Sequence, residues 1–382
     1  MGDPWDLVVV GGGPAGAATA LGALSAAPDL RVLLLDRAAF PRDKACGDGV
    51  SPEAADVLAG LGVPGLLDDW TPVRRLDLSH GSRRVSRQMR RAVRVVPRTV
   101  LDDRLVAAAV AAGARLERHR VRKVRVRGDA VAVDDDLAAR VVVGADGAYS
   151  VVRRAAGVPE VRHRAVALRG YVATPPRWSG RQVIAFDPRR RQAYAWCFDR
   201  GDGLANVGYG AFGTDGLTRA VLLRRLGELL PGTMDGPGDG ADWRGHHLPL
   251  SSWRWTQPDG RLLLTGDAAG LVNPMTGEGI HYAVATGALA GRAAAAAVTE
   301  GRPSTAGARY RTAVRTLLGP HLRHSVVAAR LSVLPAVLTA GIVAADRDQR
   351  VFDDLVDLGL GSGRLTRRVV AGLARALTPT RC

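Results

Sequence analysis

The feature that most constrains the fold of this sequence is a glycine-rich turn directly after a short apolar run near the amino terminus. The run Leu7–Val10 predicts a buried parallel strand, and the alanine-rich stretch Ala17–Ala26 predicts the helix that follows. Glycines between them allow a tight turn, a close approach of the backbone to a diphosphate, and close packing of helix on strand. The free amides at the start of the helix stabilise phosphate groups. The predicted nucleotide-binding residues of this turn are Gly11, Gly13, Pro14, Ala15 and Gly16.

A second apolar run, Val32–Leu35, ends in an acidic residue, Asp36. An acid about 20 residues beyond the last glycine of such a turn hydrogen-bonds a ribose hydroxyl in Rossmann-type folds. The neighbouring Arg37 is predicted to lie beside the same nucleotide. Because strand, turn, helix, second strand and acid follow in this order, the sequence predicts a dinucleotide-binding fold.

The segment Gly208–Gly213 repeats the glycine spacing of the first turn. The residues after it do not open a helix at the required place, so we interpret it as a strand that contains glycines. A second dinucleotide fold, of the kind that would bind NAD(P)H, is therefore not expected.

Two distant segments narrow the nucleotide to one that carries a flavin. Val141–Ser150 is an apolar strand that ends in small residues around Asp146, and Leu262–Gly270 is a strand that delivers Gly266 and Asp267 to a helix start. A carboxylate there can accept hydrogen bonds from ribityl hydroxyls, and the glycine-rich turn that follows can bring amides towards an isoalloxazine ring. The predicted contacts in that turn are Gly277, Gly279 and Ile280.

With these three motifs in order, the chain resembles the flavoprotein hydroxylase superfamily, the fold group of para-hydroxybenzoate hydroxylase. The resemblance implies an α/β protein with a Rossmann-type FAD-binding domain, an antiparallel substrate-binding sheet and a helical carboxy-terminal region. It also implies that Asp267 holds the ribityl chain, that Asp146 organises the FAD region, and that Arg98 contacts FAD.

Two shorter segments point to one family within this group. Pro41–Pro52 (PRDKACGDGVSP) resembles the cysteine-glycine signature of the geranylgeranyl reductase family. Tyr194–Phe198 (YAWCF) is similar to that family's Tyr-x-Trp-x-Phe-Pro segment, with Asp199 where proline is usual. The resemblance implies an FAD-dependent reductase of carbon–carbon double bonds in an isoprenoid substrate, with NADPH or NADH as electron donor. A monooxygenase that hydroxylates or epoxidises an apolar terpenoid or aromatic compound is the alternative.

The reductase interpretation makes Cys46 and Asp48 the candidate proton suppliers, with Cys46 and Gly47 close to the flavin. A single cysteine is also compatible with an inert buried thiol, and Asp48 with a turn residue. Both alternatives stay open at this point.

Four further residues are candidates for contact with an apolar substrate. Alternation along a strand places Tyr194, Trp196 and Phe198 on one face, which suits a pocket wall and core packing equally. His281 follows the flavin-facing turn closely and suits substrate contact or packing of its helix.

The formal net charge of +16 comes with two lysines and therefore 53 − 2 = 51 arginines. No helix-turn-helix, zinc-finger or RNP pattern accompanies them, so no nucleic-acid partner is expected. Such an arginine bias is more typical of GC-rich codon usage than of a binding surface, and anionic lipid or a diphosphate-bearing substrate is favoured over nucleic acid. Peripheral membrane contact and the oligomeric state stay open.

The three cysteines are widely spaced and His246–His247 lacks a third ligand, so no metal site is predicted. The sparse cysteines, with no secretory signal, indicate a cytoplasmic protein. The predicted division of the chain is an FAD-binding domain at 1–70, 97–155 and 260–300, a substrate-binding domain at 71–96 and 156–259, and a helical region at 301–382.

Overall fold

The fold is described here from a computed structural model, which covers residues 3–134, 136–161, 164–213, 216–233, 241–253 and 255–378. Its strands are β1 (Trp5–Val10), β2 (Val32–Asp36), β3 (Gly49–Val50), β4 (Pro72–His80), β5 (Arg83–Val95), β6 (Arg115–Arg118), β7 (Val124–Arg127), β8 (Ala130–Val133), β9 (Leu137–Gly144), β10 (Arg164–Ala173), β11 (Arg181–Phe186), β12 (Ala193–Asp199), β13 (Leu204–Phe212), β14 (Ala241–Pro249) and β15 (Leu262–Leu264). Its α-helices are α1 (Pro14–Ala26), α2 (Pro52–Ala59), α3 (Arg98–Ala111), α4 (Val151–Ala155), α5 (Arg219–Leu229), α6 (Ile280–Thr299), α7 (Ala306–Leu331), α8 (Pro335–Arg347), α9 (Gln349–Leu360) and α10 (Arg367–Leu377).

The first sheet contains the predicted Rossmann strands. Its parallel part has the order β6-β2-β1-β9-β15, and β8 and β7 extend it by antiparallel pairing from β9. The strand β2 is buried along its whole length, as expected of a parallel strand covered on both faces. The glycine turn thus lies at the carboxyl end of β1, beside the ends of β9 and β15.

Helices α1 and α6 pack closely on one face of this sheet because small residues line their contact. A Cβ atom on Gly22 would lie 2.6 Å from the carbonyl oxygen of Ala288, and one on Gly291 would lie 2.1 Å from that of Thr19. Both glycines are therefore needed for the close approach. The position of the two helices brings the start of α6 next to the glycine turn at the start of α1.

The second sheet has eight strands in the order β14-β10-β13-β12-β11-β4-β5-β3. The predicted antiparallel sheet is confirmed with one exception, because β4 and β11 pair in parallel. The glycine-rich segment Gly208–Gly213 begins within β13, as the strand interpretation predicts. A Cβ atom on Gly208 would lie 2.2 Å from the Trp196 ring, so this glycine makes room for the indole.

The predicted division into domains follows sheet membership, apart from one strand. The first sheet draws only on segments assigned to the FAD-binding domain, whereas β3 lies within residues 1–70 and pairs with β5 of the second sheet. The Cys46 segment therefore crosses from one sheet to the other. The division itself stays a prediction.

The described part of the tail after residue 305 consists of helices joined by short connections, and α8 and α9 pack on the second sheet. A buried cluster joins Leu76 and Met89 on β4 and β5 to Ile342 and Phe352 on the tail helices. In the described ranges no single helix has the length and apolarity to cross a membrane, although the bent pair Pro303–Leu331 and Pro335–Arg347 meets that test jointly.

Candidate active site

A cavity of about 960 Å³ extends from the glycine turn, between the two sheets, to the tail helices. It brings together predicted residues that are up to 270 positions apart. Those that line it are Gly11, Gly13, Pro14, Ala15, Asp36, Arg37, Cys46, Gly47, Asp48, Arg98, Asp146, Tyr194, Trp196, Phe198, Asp267, Gly277, Gly279 and Ile280.

The glycine turn and two arginines form one end of the cavity. Gly13 precedes α1, whose first turn carries no acidic residue and whose start has no side-chain cap. The nearest atoms to a Cβ built on Gly13 are guanidinium nitrogens of Arg42 and Arg98, at 3.5 and 3.6 Å. Arg98 is buried and held by two hydrogen bonds to Asp102, at 2.7 and 2.8 Å. Free helix amides under two positioned guanidinium groups suit a diphosphate.

Gly16 lies behind this wall and serves packing, as the sequence predicted for the third glycine. A Cβ atom on it would lie 1.7 Å from the carbonyl oxygen of Gly11. Asp36 faces the cavity and also holds the turn, because its carboxylate accepts hydrogen bonds from the amides of Gly12 at 2.8 Å and Ala38 at 2.9 Å. Its remaining lone pairs can accept from a ribose.

Two further carboxylates mark the middle of the cavity. Asp267 lies 3.3 Å from the Lys44 ammonium. Burial raises the pKa of Asp267, but Lys44, His246 and Arg98 together lower it more, so the carboxylate is ionised. Asp146 accepts from the amide of Val151 at 2.7 Å, while its second carboxylate oxygen is buried with no partner among the described residues. An unpaired buried acceptor and an ionised carboxylate suit the hydroxyls of a ribityl chain. Gly266 lies beneath Asp267, outside the cavity wall.

The cysteine-glycine segment forms the side of the cavity opposite the turn after β15. Asp48 is fully buried at φ 61°, and one oxygen accepts from the Tyr171 hydroxyl at 2.5 Å and the Asn206 amide at 2.8 Å. Its other oxygen has no partner in the described structure. Burial raises the pKa of Asp48 to about 6. Burial and the nearby Asp48 charge raise the pKa of Cys46 to about 11, so the thiol keeps its proton at neutral pH.

The predicted aromatic face forms the floor between these two segments. The rings of Tyr194, Trp196 and Phe198 follow one another at centroid distances of 5.9 and 6.3 Å. A Cβ atom on Gly47 would lie 3.5 Å from the Phe198 ring, and one on Gly277 would lie 3.5 Å from the Tyr194 hydroxyl. The aromatic strand therefore supports both loops that were predicted to face the flavin.

The sequence did not indicate five residues of this site, and three of the predicted residues, Gly16, Gly266 and His281, do not line the cavity. The missed residues are Arg42, Lys44, Tyr171, Asn206 and Glu278. Glu278 lines the cavity, and burial raises its pKa to about 7.

His281 does not line the cavity, so its predicted contact with the substrate finds no support. Its position on α6 directs a buried imidazole behind the wall, and burial lowers the pKa of His281 to about 4. Its backbone amide donates to Glu278 at 2.9 Å. The residue therefore belongs to the start of the helix.

Beyond the aromatic floor the cavity becomes apolar. Strands β4, β5 and β11 form one wall of this compartment, and α8, α9 and α10 form the other. Its apolar residues include Leu76, Leu78, Val93, Ile184, Phe186, Val337, Leu338, Ile342, Phe352, Leu355, Val356, Leu360, Val369 and Leu373.

Comparison with known proteins identifies an FAD-binding protein. Residues 5–179 match the family of FAD binding domains. The chain is 35% identical to the menaquinone reductase of Mycolicibacterium smegmatis over 86% of its own length and 84% of that protein. It is 33% identical to digeranylgeranylglycerophospholipid reductase 1 of Methanopyrus kandleri over 78% and 82% of the two chains.

Its fold is similar to that of a solved geranylgeranyl bacteriochlorophyll reductase-like protein from Thermoplasma acidophilum. The TM-score is 0.79, with 20% identity over 98% of this chain and 96% of the other. The motifs, the site they form and the extent of these similarities agree. The chain belongs to the geranylgeranyl reductase family of FAD-dependent oxidoreductases.

Proposed function

We propose that this flavoprotein reduces carbon–carbon double bonds in the isoprenoid chain of a lipid. The observation that carries the proposal is the continuity of the cavity, which joins the site for the flavin to an apolar compartment. Aliphatic side chains on both walls suit a flexible hydrocarbon, since burying apolar surface contributes about 25 cal/mol per Å². The names of two relatives agree, because menaquinone and a digeranylgeranylglycerophospholipid both contain isoprenoid chains.

The residues of this chain supply the binding and the proton for such a reaction. FAD bound at this site would supply the hydride after its reduction, and NADPH or NADH is the proposed source of the two electrons. Arg98 and Asp267 hold the cofactor, and the second alkene carbon takes its proton from Cys46 or Asp48. Cys46 is protonated at neutral pH, and the raised pKa of Asp48 leaves part of its population protonated there as well. Tyr171 and Asn206 keep the Asp48 carboxyl in position.

We further propose peripheral contact with a membrane at the turn between α7 and α8. Large apolar side chains are exposed there, with Leu331 42% and Leu334 50% accessible, and Val327 lies one turn earlier at 41%. The arginine-rich composition favours an anionic lipid surface. Sedimentation with vesicles tests this proposal: L331S/L334S should reduce binding to anionic vesicles, and equal binding of variant and wild type would contradict it.

The test of the reaction is anaerobic reduction of the purified flavoprotein, followed by addition of polyprenyl compounds. We expect the substrate to reoxidise the flavin without oxygen and the product to gain two hydrogens in mass. A strict requirement for oxygen, with labelled oxygen in the product, would support the monooxygenase alternative instead.

A further inference from the structure

The segment that carries Cys46 and Asp48 depends on contacts from outside it for its conformation. Residues 42–48, between β2 and β3, form neither a helix nor a strand. Asp48 lies at φ 61°, a left-handed conformation that is costly for a residue other than glycine and persists only where the surrounding structure fixes it. The positions of both candidate acids are therefore set by the groups that bind this segment.

Arg169 on β10 makes the contacts at the start of the segment. Its side chain is 1% exposed, and Nη2 donates to the Asp43 carboxylate and, at 3.3 Å, to the carbonyl oxygen of Lys44. Nη1 donates to the carbonyl oxygen of Asp242 at 2.8 Å, which fixes the plane of the guanidinium group. Arginine suits such a set of acceptors because its donors form a rigid, planar fork.

The same guanidinium group reaches the end of the segment through Tyr171. It lies 4.5 Å from the centroid of the Tyr171 ring, two residues further along β10. The Tyr171 hydroxyl donates to one oxygen of Asp48 at 2.5 Å. One buried cation thus contacts residues 43 and 44 directly and residue 48 through a single aromatic side chain.

Neutralisation of Asp43 does not explain why Arg169 is buried. The half-exposed Arg244 on β14 already pairs with the second oxygen of Asp43, at 2.6 Å. Burial of Arg169 is also costly, since its Nε has no hydrogen-bond partner among the described residues. A costly buried cation beside an acid that already has a partner indicates that Arg169 serves the geometry of the segment.

The charge of Arg169 acts on Asp48 as well. Burial raises the pKa of Asp48 to about 6, and the rise is limited by hydrogen bonds from Tyr171 and Asn206 and by the charges of Arg169 and Arg98. Loss of the Arg169 charge should therefore raise this pKa further.

We propose that Arg169 is a positioning residue for the proton supply: it holds residues 43 and 44 directly and residue 48 through Tyr171, and so keeps Cys46 and Asp48 in place at the cavity. This inference rests on the proposed function and adds to it a residue of the second sheet that acts through the segment.

The kinetic test compares R169M and R169K with the wild type at saturating FAD, in single anaerobic turnovers followed by flavin reoxidation with a polyprenyl substrate. We expect R169M to react about 100-fold more slowly, because a displacement of about 1 Å at a reacting group can cost that factor. R169K keeps the charge but not the planar fork, so its rate should lie between the two. A wild-type rate in R169M, or in R169K if R169M fails to fold, would overturn the inference.

The matched control is R244M, which removes the other cation that pairs with Asp43. Arg244 does not line the cavity, and the R244M rate should stay within about twofold of the wild type. An equal loss of rate in R169M and R244M would assign the effect to the charge of Asp43 and overturn the inference while the reductase function stands.

Two measurements on the FAD-loaded protein without substrate separate failure of the inference from failure of the function. Alkylation of Cys46 by iodoacetamide, followed by mass spectrometry of its peptide, should be about tenfold faster or more in R169M, because a loosened segment exposes the thiol. It should be unchanged in R244M. The pKa of Asp48, followed by NMR of isotope-labelled aspartate side chains and assigned with D48N, should rise in R169M and return towards the wild-type value in R169K.

Both changes in R169M would support the positioning role even if the wild type reduced no prenyl compound. An unchanged alkylation rate, or a pKa of Asp48 that does not rise, would refute that role whatever the turnover.

Discussion

Replacement of Asp48 by asparagine should change the pH dependence of stability in a way that the structure predicts in sign and size. The side chain is fully buried, and the pKa of its carboxyl rises from 3.8 to about 6 because burial disfavours the charged form. Asparagine has the same shape, and its carbonyl oxygen can accept from Tyr171 and Asn206 as the carboxylate does. A difference of about two pKa units corresponds to about 3 kcal/mol.

The sign follows from which state binds the proton more tightly. Between pH 3.8 and about 6 the folded protein keeps the Asp48 proton and the unfolded chain releases it, so wild-type stability falls as the pH rises through this window. Above about pH 6 residue 48 is ionised in both the folded and the unfolded state, so the loss of wild-type stability stays constant. The asparagine side chain of the D48N variant does not titrate, so this contribution is absent from the variant.

Urea denaturation followed by circular dichroism, at a fixed saturating FAD concentration, measures the effect. The stability of D48N relative to wild type should rise by about 2 kcal/mol between pH 4 and pH 7.5, whatever the difference at pH 4, because the carboxyl in the unfolded chain is already more than half ionised at pH 4. The control is D187N: Arg225 and Tyr209 outweigh the effect of burial and lower the pKa of Asp187 below 3.8, so its stabilising contribution develops below pH 4 and is complete above it. D187N should therefore destabilise the protein by an amount that stays constant between pH 4 and pH 7.5. A pH-independent difference for D48N, or one of opposite sign, would refute the argument.

Three further predictions test the cofactor site, the packing and the proton supply. D267A should lose bound flavin in the purified protein, and flavin at normal stoichiometry would contradict the role of Asp267. G208A should cost about 1–3 kcal/mol in urea denaturation, because the new Cβ would overlap the Trp196 ring, whereas G245A in β14, with nothing nearer than 3.7 Å, should cost less. C46A should lower kcat by about 100-fold or more with flavin content unchanged if the thiol supplies the proton, and unchanged turnover would assign that step to another acid.

The amino-terminal fold could be predicted from sequence because each of its signals is local. A strand, a glycine turn and a helix occupy Trp5–Ala26 without interruption, and Gly16 meets the Gly11 carbonyl oxygen within the same segment. The pairing of β4 with β11 has no such signal, since more than 100 residues separate the two strands. The alternation of apolar and polar residues predicts that both segments are strands, but it carries no information on whether they pair in parallel or antiparallel.

The environment of Asp48 illustrates the same limit at the level of one side chain. The sequence places it in a turn next to Cys46, which is compatible with an exposed acid. Its burial, its partners Tyr171 and Asn206, and hence its raised pKa all depend on β10 and β13, more than 120 positions along the chain. The chemistry of the residue is therefore set by tertiary contacts that no local pattern contains.

The apolar compartment shows why family motifs and substrate choice are separable. The motifs that identify the family end at Ile280, whereas one whole wall of the compartment comes from α8, α9 and α10. Amphipathic helices of this kind need only apolar residues at helical spacing, so many tails could cover the same sheet while changing the length and polarity of the cavity. The turn between β11 and β12 lies at the junction of these two parts, because Asp187 accepts from the Arg190 amide on the sheet side and Gln192 donates to the Ala329 carbonyl oxygen on the tail side. Substrate specificity in this fold should accordingly vary through the tail and this turn, with the flavin site left unchanged.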